Sequence, residues 1–70
     1  MKREGNLIFD NGIVLNLDFV AAFKSSISNK FGTDVFCGGN MFTINVKKAE
    51  FEKVYKDYIK SRNLFTGKLG

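Results

Sequence analysis

Two glycine-centred turns, each set between short runs of β-branched and aromatic residues, constrain this chain more than any other feature. The second occupies Asp34 to Val46, Asp-Val-Phe-Cys-Gly-Gly-Asn-Met-Phe-Thr-Ile-Asn-Val. Gly38, Gly39 and Asn40 tolerate the positive φ that a tight hairpin turn demands. The loop can be Gly38-Gly39, Gly39-Asn40 or the four residues from Cys37 to Asn40, and all three give the same parity. Val35 and Cys37 then share a face with Phe42, Ile44 and Val46, while Phe36 and Met41 share the other with Thr43 and Asn45. Only a three-residue loop would reverse one strand against the other. The first face is the better core.

The first turn, Asn11-Gly12, lies between Leu-Ile-Phe and Ile-Val-Leu-Asn-Leu. A two-residue turn of this kind sets Phe9 opposite Val14, Ile8 opposite Leu15 and Asp10 opposite Ile13. Ile8, Ile13, Leu15 and Leu17 fall on one face, and Leu7, Phe9 and Val14 on the other. Both faces are apolar, whereas a sheet with one wet side shows polar residues there.

Between and after the hairpins the period changes. Phe19, Phe23 and Ile27 recur every four residues, widened by Val20 and Phe31, which predicts a helix over Asp18 to Phe31. Asn16 or Asp18 can cap its start, and Gly32 stands where a left-handed C-terminal residue belongs. Phe51, Val54, Tyr55, Tyr58 and Ile59 follow the one-sided helical pattern, predicting a second helix from Lys48 to Arg62. Asn63 is expected to end it, with Leu64 and Phe65 folding back on the core edge.

The expected order is therefore ββαββα. It predicts an α+β two-layer sandwich: a four-stranded, mainly antiparallel sheet with both helices on one face. Residues 1–70 make a single small domain, with 1–5 and 66–70 expected to be flexible. In such a fold Leu7, Phe9, Val14, Phe36 and Met41 would share the uncovered face, an apolar patch of the kind that marks a partner interface.

Seventy residues bury a small core, worth ~3–5 kcal/mol, so disulfides, metals or association commonly assist. A single cysteine, Cys37, rules out an internal disulfide, and the absence of histidine leaves it without companions for an ordinary zinc site. The same absence denies Cys37 the usual base of a catalytic thiol, so a small buried hydrophobe beside a turn is the expected role. The carboxylates Glu4, Asp10, Asp18, Asp34, Glu50, Glu52 and Asp57 fall at turns, helix starts or an exposed helix side. None forms a pair for acid–base work or a divalent ion. Gly38-Gly39 joins two strands, whereas phosphate loops lead into a helix N-terminus. No cofactor or small-molecule substrate is implied, and an enzyme is not expected.

Eleven basic and seven acidic residues give a net charge of +4. That balance mildly favours acidic partners. Lys47, Lys48, Lys53, Lys56 and Lys60 could contact phosphates, although Glu50, Glu52 and Asp57 are interspersed among them, as on a solvated, salt-bridged face. No apolar run is long enough to span a membrane and no leader is apparent, so a reduced cytoplasmic setting is expected. The expectation is a small basic, non-enzymatic protein-binding module. It would serve as a regulator or inhibitor that occupies the surface of another protein or of a homodimer partner. Phages and other mobile elements encode many chains of this size. Nucleic-acid binding through the lysines is the alternative.

Overall fold

The computed structural model describes residues 1–66, with side chains to Arg62. Its strands are β1 (Lys2–Glu4), β2 (Leu7–Asp10), β3 (Ile13–Asn16), β4 (Val20–Ser25), β5 (Thr33–Cys37) and β6 (Asn40–Ile44). A turn of 3-10 helix, Leu17–Phe19, joins β3 to β4, and the helix α1 runs from Lys48 to Thr66. The strands form two antiparallel three-stranded sheets, ordered β1-β2-β3 and β4-β5-β6.

Both hairpins take the expected register. Phe9 lies opposite Val14, Ile8 opposite Leu15 and Asp10 opposite Ile13. Asn11 and Gly12 adopt φ of 48° and 80°, the left-handed pair a two-residue turn requires. The second turn is Gly38-Gly39, at 60° and 84°, with Val35 opposite Phe42 and Phe36 opposite Met41. The inner faces of the two sheets meet α1 in one core. It contains Ile8, Leu15, Leu17, Val35, Cys37, Ile44, Val46, Phe51 and Tyr58. The stripe on α1 packs as its spacing indicates: the Phe51 ring meets Phe23 edge-on at 4.9 Å and stacks near Tyr55 at 6.3 Å.

Several expectations give way. The four-stranded sheet with two helices on one face is replaced by two three-stranded sheets and one helix. The predicted helix over Asp18 to Phe31 is absent: its first part is the 3-10 turn and β4, and its last part is the loop from Ser26 to Gly32. The physical reason lies in Ser26 and Asn29, whose side chains bond the backbone in place of a helical ladder. Ser26 Oγ accepts from the Asn29 N–H at 3.1 Å, and Asn29 Oδ1 accepts from the Phe31 N–H at 3.0 Å. Asn16 does cap a start, accepting from the Asp18 N–H at 2.9 Å, but of the 3-10 turn. Gly32 serves close approach and not a left-handed cap, since a Cβ there would stand 2.7 Å from the Ile44 carbonyl oxygen.

The polar start, expected to be loose, supplies β1 instead, because Lys2, Arg3 and Glu4 pair with Phe9, Ile8 and Leu7. The fold-back of Leu64 and Phe65 and the looseness of the last residues lie outside the described residues and side chains. α1 continues past Asn63 to Thr66.

Candidate interaction surface

The parity of the second hairpin decides what its side chains can do. Val35 is 0% exposed and faces the core. Its neighbour Phe36 points the other way and is 37% exposed, and Met41, directly across the ladder, is 53% exposed. Ala22 on β4 completes the row, as the register partner of Phe36. The next outward row is polar: Lys24, Asp34 and Thr43 are register neighbours, and Thr43 Oγ1 donates to Asp34 Oδ1 at 2.7 Å. Within that polar row Lys24 is exposed, whereas Asp34 is buried. Phe19, also exposed, stands beside the hairpin turn, where its carbonyl accepts from the Gly38 N–H at 3.1 Å.

The five residues expected to share one open face do not lie on one sheet. Phe36 and Met41 belong to β4-β5-β6. Leu7, Phe9 and Val14 belong to β1-β2-β3, where Val14 is exposed but Leu7 and Phe9 are half-buried. Lys2 and Glu4, their β1 partners, share that face and pair with each other at 2.9 Å. Long charged side chains laid over apolar neighbours keep their heads in water and cover the groups beneath. The charged strand, unforeseen from the sequence, completes the first hairpin's sheet, while the second hairpin takes β4 instead.

The lysines divide as well. Lys48 and Lys56 both reach Glu52, at 3.7 and 3.2 Å, and these pairs hold the Glu52 carboxyl below its usual pKa, Lys56 most of all. Lys53 and Lys60 share the exposed side of α1 with Asp57. Lys47 goes elsewhere, its ammonium 5.5 Å from the Phe31 ring centre, with Lys30 at 5.4 Å. The five lysines do not form an unbroken cationic track.

The spacing of Phe31 and Ile27 predicts a helix stripe. In the structure they stand exposed on the Ser26–Gly32 loop, Ile27 at 87%. Asn29 braces that loop through Nδ2, which donates to Asn45 Oδ1 at 2.8 Å. Only the serine-rich, helix-poor composition of the segment hinted at this in the sequence.

A polar cluster ties the junction of the sheets to α1. Asn6 Nδ2 donates to Asp18 Oδ2 at 3.1 Å and to Asn16 Oδ1 at 3.2 Å. The Tyr58 hydroxyl donates to Asp18 Oδ1, and the Arg62 guanidinium lies 3.5 Å from the same oxygen. The Tyr58 bond, then the Asn6 bond, hold the Asp18 carboxyl below the ordinary carboxylate value. The same Asp18 bond raises the Tyr58 phenol. Arg3 lies 6.0 Å from the centre of the Tyr58 ring, so both arginines of the chain converge here. These bonds join the β3–β4 junction to α1, which makes the cluster a clamp between elements.

Cys37 is buried, and its thiol donates to the Asn16 carbonyl at 3.4 Å. Among the described residues no three His, Cys, Asp or Glu side chains gather as metal ligands, and no helix is long and apolar enough to cross a membrane. An open depression of about 450 Å³ between β4 and α1 is lined by Phe23, Tyr55, Ile59, Glu52, Lys56 and Lys60. Compared with known proteins, the chain has no match among family models, curated proteins or solved structures.

Proposed function

We propose that this chain is a non-enzymatic protein-binding module that works by covering a surface of its partner, as a regulator or inhibitor does. The observation that carries the reading is the Phe36–Met41 pair. Two large apolar side chains, adjacent across a ladder, point away from the core and stand open to water. Aromatic and methionine side chains are enriched at the centres of interfaces, where a few anchors carry most of the binding energy. Lys24, exposed beside the pair, supplies a hydrogen-bonding group at the edge of the patch. A basic surface adds a preference for an acidic partner.

The test is affinity capture from lysate, with and without nuclease treatment, using the intact chain, Phe36→Asp and Val14→Asp side by side. A partner retained by the intact chain and by Val14→Asp, but lost with folded Phe36→Asp, supports the reading. Equal capture by all three overturns it, and disappearance of the partner on nuclease treatment points to nucleic acid instead.

A further inference from the structure

The outer edge of β6 is an unpaired strand edge, and we infer that it pairs with β6 of a second copy of this chain. The turn geometry fixes which backbone groups are available. With a two-residue Gly38-Gly39 turn, Cys37 and Asn40 form the closing hydrogen-bonded pair, and the pattern alternates from there. Asn40, Phe42 and Ile44 therefore turn their N–H and C=O groups toward β5. Met41 and Thr43 turn theirs outward. The next outward group, the Asn45 N–H, confirms the phase, because it donates to Asp10 Oδ2 at 2.8 Å. Among the described residues no strand lies on this side of β6, and no backbone bond from outside the ladder reaches Met41 or Thr43.

Two of the other three edges are blunted in ways proteins use to prevent edge-to-edge association, and the third is engaged at one end. β1 is Lys-Arg-Glu, charged at every position. β4 carries a register shift between Val20 and Ala22, holds Lys24, and has α1 against it. At β3 the Asn16 carbonyl already takes the Cys37 thiol. β6, Asn-Met-Phe-Thr-Ile, has no charge, no proline and no bulge.

A two-fold axis through Phe42 satisfies the outward groups best. It sets Met41 opposite Thr43 of the second copy and Thr43 opposite its Met41, making four backbone hydrogen bonds. Phe42 then faces its own counterpart across the axis, in the wider-bonded position where side chains approach closest. Moving the axis to Met41 leaves Thr43 against a turn glycine, and moving it to Thr43 competes with the Asp10–Asn45 bond. The chain is positively charged, yet this register places no two like charges opposite each other. Five residues of strand edge cover less than the ~800 Å² per partner of a stable interface, so the dimer is weak and concentration-dependent. It joins two sheets into six strands and sets each Phe36–Met41 row end to end with the Thr43–Asp34 row of the second copy. The pairing goes beyond the binding-face reading, and either can fail without the other.

The experiment compares amide hydrogen exchange of the intact chain at about 10 μM and about 1 mM, a span suited to so small an interface, with sedimentation run on the same samples. The expected result is a dimer at the higher concentration, with slowed exchange at Met41 and Thr43. Asn40, Phe42 and Ile44, already bonded to β5, change little. Met41→Pro removes an outward donor from each copy, a change an edge strand tolerates, and should weaken association at least tenfold, about the effect of losing two such bonds. Met41→Leu should not. A monomer throughout, or a dimer without added protection at Met41 and Thr43, overturns the inference; the second outcome would leave the binding-face reading intact. Equal association of Met41→Leu and a folded Met41→Pro also overturns it.

Discussion

Adjacent residues on β5 should respond to truncation in opposite ways. Val35→Ala removes two methyl groups from a site with no solvent exposure. At ~0.8 kcal/mol per buried carbon the transfer loss is about 1.6 kcal/mol, and the unfilled space brings it to roughly 2.5 kcal/mol. A chain of this size holds only ~3–5 kcal/mol in total, so half or more of its stability would disappear. Phe36→Ala deletes a larger side chain, but one that leaves the core and is 37% exposed. It loses partial cover from Met41 and Ala22, worth about 1 kcal/mol. Urea titration followed by far-ultraviolet circular dichroism reads both, with a slope of ~1 kcal/mol/M expected for so short a chain. The midpoint should fall by about 2–3 M for Val35→Ala and by about 1 M or less for Phe36→Ala. If the larger deletion proved the costlier one, the facing of the second hairpin would be reversed and the binding face with it.

Four further outcomes follow from the packing. Gly32→Ala forces a Cβ against the Ile44 carbonyl and the Asn29 amide, and should cost about 1–3 kcal/mol in the same titration; a neutral effect would mean the loop gives way freely. Thr33→Val leaves the Val46 carbonyl, now 2.5 Å from Thr33 Oγ1, without its buried partner, and should cost a similar ~1–3 kcal/mol, which a retained midpoint would refute. The depressed Asp18 carboxyl stabilises the fold fully above its unfolded value of ~3.9 and less as pH falls through its lower folded value, so Asp18→Asn should flatten the acid limb of a stability–pH curve. The raised Tyr58 phenol acts at the other end: its contribution is intact below ~10 and is lost as pH climbs through the folded value, so Tyr58→Phe should flatten the alkaline limb.

Local turn chemistry made both hairpins legible in the sequence, because Asn11-Gly12 and Gly38-Gly39 tolerate a backbone most residues avoid, and a turn of known length fixes register. The C-terminal helix was legible for a similar reason, its stripe being long and its opposite side charged. The segment from Asp18 to Phe31 misled because four-residue spacing of Phe19, Phe23, Ile27 and Phe31 imitates a helix. In the structure only Phe23 among them packs into the core, and Phe19, Ile27 and Phe31 are exposed. The preference of Ser26 and Asn29 for bonding nearby backbone outweighed that periodicity. The division into two sheets was illegible because Lys-Arg-Glu carries no apolar alternation; it pairs by proximity to β2, and its charge then covers Leu7 and Phe9. Phe36 and Met41 could be placed on an outer face from parity alone. That Leu7, Phe9 and Val14 belong to a different sheet could not, since it depends on which hairpin recruits which third strand.

If the protein meets its partner on the outward row of the second hairpin, a photo-cross-linking amino acid at Met41 should capture it in a lysate, and the same group at Lys53 on the outer side of α1 should not. The expected result is a discrete adduct from Met41, identified by mass as a second copy or another protein, and none from Lys53. A discrete adduct from Lys53 with Met41 silent would contradict it.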